Sequence, residues 1–462
     1  MPVARFSTFE SLGIRDYRLL WMGQFSTSMG QWMDQLARGF LMYEITNSPL
    51  EVGMAAAARG LPLILFSLIA GAFADRSGRK AQLIVAQATN AGIAAALATL
   101  VLTGHVQPWH IYLTGFLAGS VQAFQQPARQ TLIGDIVGDH LLMNALALNS
   151  AALNVSRMLG PTFAGMIIAL IPHLSGGVVP GPAGSYYVEG LMYATATIWT
   201  FQMRVPDPRA RGYQREVEPF WRSIRTGFSY VVRERDVRVL MILGLGPLAF
   251  GQSYANLMPV FAKDVLGGGP ELLGALLSMV GLGSLVGALT VASMRRSHGY
   301  GLPIVLGGAS FSALVFAFAS SEWVWLSIVL AAAIGVTNVS YNTQNQTLLQ
   351  VIPPRELRGR VMSIRALERG LVPFATLLAG ALASAFGGPD AVRIMSAIGL
   401  VIIGLVVATS PQILRLKVPL TGLGYARGRG RRGWVDDAGA PAGPPPADSD
   451  LTTTATTRPS EP

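Results

Sequence analysis

Apolar residues run in long blocks along the chain, and short polar, mostly basic stretches interrupt them. A helix needs about 20 mainly apolar residues to cross hydrocarbon. Blocks of that kind lie at 18–43, 51–74, 81–103, 109–134, 142–171, 185–203, 237–263, 271–294, 302–320, 323–350, 361–386 and 390–412. The pattern predicts an all-α integral membrane protein of twelve transmembrane helices. A Gly/Pro-rich loop, Pro172 to Gly184, closes the fifth. Between the second and third blocks stands Gly71-Ala-Phe-Ala-Asp75-Arg76-Ser-Gly78-Arg79-Lys80. Asp75, Arg76, Arg79 and Lys80 cannot lie inside hydrocarbon, so this run predicts a short solvent-facing elbow.

The other charged residues follow the same logic. One set of connections holds Arg5, Arg15 and Arg18, the elbow, the stretch 204–238, Arg295 and Arg296, Arg355, Arg358 and Arg360, and Arg415 onward. The alternate connections hold little beyond Lys263 and Arg393. The positive-inside rule places the basic set, and with it both termini, in the cytoplasm of a multi-pass protein of the cell membrane.

Composition agrees. Of 462 residues, 51% are apolar and 13% charged, against about 25% charged in soluble proteins. The net charge of +10 sits mostly in the connections, so it reads as topology and no nucleic-acid partner is expected. There is no cysteine, hence neither a disulfide nor a thiolate metal site. The histidines, His105, His110, His140, His173 and His298, mostly fall at helix ends or loops, and neither a metal nor a cofactor is expected. The first apolar block, Leu19 to Tyr43, is too long for a cleavable signal and lacks an A-x-A exit. Gly281-x-Gly283-x-x-x-Gly287 has the wrong spacing for a dinucleotide loop, and no strand precedes it. Gly283 with Gly287, and Gly115 with Gly119, predict close helix packing.

The two halves of the chain repeat. Gln130-Thr131-Leu132 returns as Gln346-Thr347-Leu348, and Pro49, Gly53 and Gly60 return as Pro270, Gly274 and Gly281. The expected units are an N-terminal six-helix bundle (1–203), a cytoplasmic linker (204–236), a C-terminal six-helix bundle (237–415) and a disordered tail (416–462) rich in Gly, Arg, Pro and Thr.

Ionisable residues within the spans need partners or an aqueous cavity. Asp34 and Arg38 share one helix face at i, i+4, and Arg59 in antiparallel span two falls at their depth. Asp34 is the candidate proton carrier, with Arg38, Arg59 and Arg157 shaping its field; a static Asp–Arg tie between helices is the alternative. Arg157 stands near mid-membrane before Gly160-Pro161, as a cation facing a cavity or a partner for a neighbouring helix. Gln122, Gln126, Asn154, Gln252, Asn256, Asn338, Tyr341 and Asn342 are candidates to line a polar cavity, with interhelical hydrogen bonding the alternative use. Arg365, Glu368 and Arg369 open span eleven, where snorkelling to water accounts for charge.

Twelve spans, a six-plus-six repeat and G-x-x-x-D-R-x-G-R-K after span two resemble the major facilitator superfamily. The elbow matches its signature at Gly71, Asp75, Arg76, Gly78, Arg79 and Lys80. Three stretches look like its bacterial exporter branch of siderophore and drug carriers: Asn47 to Gly53, Gln126 to Leu132, and Asn144 to Asn149 with Arg157 to Pro161. In the second half the equivalent elbow, Met294 to Gly299, has Arg in place of the acid. The resemblance implies two six-helix bundles rocking about a midplane site. It implies export of a hydrophobic or amphipathic organic compound, a small organic substrate exchanged for protons across the lipid bilayer. Uptake by the same fold and a non-transporting membrane scaffold or sensor are the alternatives. It also implies a latch between Asp75 and the start of span eleven, at Arg365 and Glu368. Asp75→Asn should then favour the inward-facing state and cut transport without unfolding the protein. Equal turnover in mutant and wild-type vesicles would reduce the elbow to a topological anchor.

Overall fold

The computed structural model of the chain describes residues 9–76, 78–204, 228–251, 253–293 and 301–416. Most of the expected linker, the second elbow and the tail thus lie outside the described residues. Twelve spanning segments are present among those described. Spans one to three are Arg15–Thr46, Pro49–Arg76 and Arg79–Leu102. Spans four and five form one continuous run, Pro108–Leu174, bent at Gly138 (φ 69°, ψ 175°), and span six is Gly181–Gln202. Span seven begins at Arg235–Gly246 and continues through π turns at Pro247–Gly251 and Phe261–Val265, with Ser253–Val260 α-helical between them. Spans eight to twelve are Pro270–Ser293, Gly301–Ala319, Val324–Val351, Arg355–Phe386 and Gly388–Thr409. The protein is an all-α membrane protein of two six-helix bundles.

Local chemistry sets these boundaries. Pro49, Pro108 and Pro270 stand at the first position of their helices, where the missing N–H has no partner to lose. Asn47 closes span one in the left-handed conformation (φ 49°). The Gln107 N–H donates to His110 Nδ1 at 3.0 Å, capping span four. Gly138 adopts a positive φ that other residues resist, so two spans meet without a loop.

Among the described residues, spans two, three, five, eight, nine, ten and twelve are long and apolar enough to cross a membrane by length and composition alone. Span one fails that measure because it carries Gln24, Asp34 and Arg38, all of which the fold buries.

The end of the molecule bearing Arg18, Arg79, Lys80, Arg235 and Arg238 is called here the basic end, and the opposite one the far end. Buried apolar residues form three clusters that divide the molecule by depth. Near the basic end each bundle keeps its own core: Tyr17, Leu83 and Leu132 in the first, Leu240, Leu348 and Val361 in the second. Toward the far end one shared core joins Leu36 and Val52 to Leu273 and Ala379.

Lipid gives helices no hydrophobic reason to associate, so small residues that admit close contact carry the packing. A side chain at Gly283 would run into the backbone of Ala332 in span ten, and one at Gly287 into Val336. Span four uses Gly119 likewise against the backbone of Arg59, which seats span two and its arginine. Between the bundles, Gly53 meets Gly380 and Gly165 meets Gly274. Gly404, by contrast, has open space around it. Gly283→Val should therefore destabilise the protein by about 1–3 kcal/mol, read as a lower unfolding midpoint in detergent, while Gly404→Val leaves the midpoint unchanged.

Candidate functional site

A cavity of about 600 Å³ lies between the bundles, at mid-depth. That volume suits a drug-sized organic molecule. Spans one, two, four and five line it from the first bundle; spans seven, eight and eleven complete it from the second. Gln31, Trp32, Gln35, Gln122, Gln126, Asn154, Asn256 and Thr376 supply neutral polar and aromatic surface, and Leu36, Val52, Leu63 and Leu273 supply apolar wall. Arg38, Arg59 and Arg157 are the cations on it.

Asp34 sits just behind this surface, 1% exposed. Arg38, one turn further along span one, holds it as a fork: Nη2 donates to Oδ1 at 2.8 Å and Nε at 3.1 Å. The remaining Arg38 amino group donates to the Ile111 carbonyl at 2.8 Å and to Thr114 Oγ1 at 2.9 Å, tying span one to span four. Arg59 reaches across from span two and pairs with the other carboxylate oxygen of Asp34. Three charges of the membrane interior thus form one cluster, as the antiparallel register of spans one and two demands. Gly115 makes room for it: a Cβ there would lie 3.4 Å from Arg38 Nη1.

Arg157 is arranged differently. Its guanidinium stacks 5.3 Å above the Trp32 ring, and no carboxylate pairs with it among the described residues. Its guanidinium forms part of the cavity wall.

The other candidate residues divide by where the packing puts them. Gln122, Gln126, Asn154 and Asn256 line the cavity, Asn256 donating to Thr376 Oγ1 at 3.0 Å. Asn338, Tyr341 and Asn342 lie elsewhere. The Tyr341 hydroxyl donates to the Leu243 carbonyl of span seven, and Asn342 donates to the Asn338 carbonyl at 3.0 Å. Arg365 donates to Asn342 Oδ1 at 3.5 Å, inside the second bundle. Gln252 is outside the described residues, as are the side chains of Gly71, Asp75, Arg76 and Glu368.

Of the elbow, Gly78 precedes span three in extended conformation. Arg79 pairs with Asp135 of span four, and Lys80 donates to the Met203 carbonyl after span six at 2.6 Å. Both contacts stay within the first bundle. Arg129, near the basic end, donates to Gln24 and, at 3.0 Å, to Thr27.

Two groups escaped the sequence reading. Glu189 is the one acidic residue in span six, 6% exposed; its position in an apolar block was the available signal. The second is a polar seam across the far end. There the Tyr43 hydroxyl donates to the Asp264 carboxylate, and Lys263 donates to Asn47 Oδ1 at 3.3 Å while standing 5.2 Å over the Tyr43 ring. A hydroxyl contact between Thr162 and Ser278 joins spans five and eight. No periodicity pairs a helix end in one half with a loop in the other.

Comparison with known proteins places the chain among membrane transporters. The chain is 24% identical to the multidrug efflux pump Tap of Mycolicibacterium fortuitum over 86% of its length and 96% of that protein's. It is 23% identical to the staphyloferrin A transporter of Staphylococcus aureus, covering 78% and 87%. It is 25% identical to the enterobactin exporter EntS of Shigella boydii, covering 74% and 82%. Its fold matches a bacterial homologue of the human lysosomal transporter Spinster, solved inward-facing and unoccupied, with a TM-score of 0.67 at 13% identity, covering 87% and 96%. The nucleoside transporter NupG follows at 0.66 and 12%, covering 85% and 98%. A family model described as transmembrane secretion effector matches residues 6–418. The chain therefore belongs to the transmembrane secretion effector family of the major facilitator superfamily, and is a transporter rather than an enzyme.

Proposed function

We propose that this protein is a secondary carrier of the cell membrane that exports a bulky amphipathic organic compound in exchange for protons. The observation carrying the reading is the mid-depth cavity shared by both bundles, with neutral amides and arginines set in apolar walls. Its size and mixed lining suit a large organic molecule better than an inorganic ion. Three guanidiniums against one carboxylate disfavour an organic cation, because like charge in a low-dielectric site is strongly repelled. Arg157, which pairs with no carboxylate among the described residues, would meet acceptor oxygens on the compound. Export is the direction carried by the names of the relatives EntS and Tap.

Asp34 is the proposed proton port. Protonating it would cancel its pairing with Arg38 and Arg59 and leave two cations on the cavity wall, so proton and substrate occupancy alter each other's free energy. In everted vesicles, acidifying the interior should drive uptake of a transported compound, and Asp34→Asn should reduce that uptake to the gradient-free level. Uptake driven only by the opposite gradient would favour an importer instead.

The excess of Lys and Arg supports a cytoplasmic basic end, with both termini there. The far end is then external, and its polar seam is a closed outer gate. Breaking the seam should populate a state open to the outside. The chain has no cysteine, so Leu277→Cys on the cavity wall is a clean reporter. A membrane-impermeant maleimide added to intact cells should label it several-fold faster when Tyr43→Phe and Asp264→Asn are combined with it. An unchanged rate would remove the gate from the proposal.

A further inference from the structure

Glu189 is an ionisable group of the membrane interior that the cavity does not use. It sits well inside span six, is 6% exposed, and does not line the cavity. It packs against Gly30 of span one, where a Cβ would lie 3.2 Å from Glu189 Cγ and 3.2 Å from the Tyr193 ring. Among the described residues no hydrogen bond or ion pair reaches its carboxyl.

Ionisable groups approach it from several helices. Span one presents Asp34 and Arg38, and span two presents Arg59; both guanidiniums lie within electrostatic reach of Glu189. Both arginines are already committed to Asp34. Span four contributes Arg129, which acts on neighbouring Tyr193 and is itself held by Gln24 and Thr27. Span three has no ionisable residue from Ala81 to Leu102. Tyr186 and Tyr193 flank Glu189 on its own helix, and the buried Tyr186 hydroxyl has no hydrogen-bond partner among the described residues.

An ionised carboxylate in that position would be a buried, unpaired charge, which costs far more than burying the neutral acid. Two guanidiniums, Arg59 and Arg38, lie within electrostatic reach of both acids, and both pair with Asp34. We propose that Glu189 is a second proton-binding residue of the carrier, neutral while Arg59 is held on Asp34 and ionised when Arg59 turns to it. The inference rests on the proton-coupled reading above.

The exchange balances. As Arg59 leaves Asp34 for Glu189, the Glu189 O–H bond breaks and a proton ends on the Asp34 carboxylate. Net charge in the cluster is unchanged, which is what a low-dielectric interior requires of any rearrangement. Asp34, behind the cavity wall, then releases the proton to water there. Glu189 is the buried store and Asp34 the port.

Infrared spectroscopy of the purified full-length protein at neutral pH, with protons as the only ligand, tests this. Wild type should show the C=O stretch of a protonated carboxyl, and Glu189→Gln should lose it. Asp34→Asn should lose it as well, since Arg59 is then released to ionise Glu189; a merely structural glutamate would not respond to that change. Full retention of the band in either variant overturns the proposal. Should Glu189→Gln not fold, Glu189→Asp serves: the band must shift in frequency, and an unshifted band overturns the assignment. Everted vesicles supplied with enterobactin or staphyloferrin A separate the two readings. If wild type responds to the proton gradient and Glu189→Gln responds equally, Glu189 alone is refuted. If the band behaves as expected while no gradient drives wild type, the proton site stands and the exchange reading falls.

Discussion

A carboxylate inside a bilayer must be held by cations, and much of the first bundle is organised around that requirement at Asp34. Arg38 supplies the fork and Arg59 the second contact. Each arginine in turn fixes a neighbour. Arg38 draws span four in through Ile111 and Thr114, and Gly119 lets span four rest on the backbone of Arg59. Removing one partner from such a cluster leaves an uncompensated buried charge, costing about 3–5 kcal/mol. Helix packing and electrostatics are therefore one problem here.

The same cluster links the cavity to the interior of the bundle. Arg38 and Arg59 show one side to the cavity and the other to Asp34. Anything that changes the charge of Asp34 changes what the cavity offers a ligand, and the reverse holds by linkage. Glu189 extends this network away from the cavity, toward spans three and six.

The distribution of the core has its own consequence. One shared apolar cluster near the far end and two separate ones near the basic end mean that the bundles are joined at one side and individually packed at the other. Glycine pairs at Gly53–Gly380 and Gly165–Gly274 make the joined half close-fitting. Two rigid bodies in contact over half their depth can tilt about that contact with little internal repacking, because each retains its own core.

The apolar blocks by themselves determined the number of spans and most boundaries to within a few residues, since crossing hydrocarbon demands length and apolarity that nothing else in the chain imitates. The basic connections set the expected orientation for the same reason. The i, i+4 spacing and antiparallel register by themselves bring Asp34, Arg38 and Arg59 to one depth. What sequence could not decide was which face of each helix looks where. The amides of span ten read as cavity-facing, yet Tyr341 spends its hydroxyl on span seven and Asn342 pairs with Asn338, while Gln31, Trp32 and Gln35 of span one take the cavity. Glu189 and the Tyr43–Asp264 seam depend on contacts between helices far apart in the chain. Periodicity records a helix's faces but not its rotation against its neighbours, and that rotation is set by packing all twelve at once.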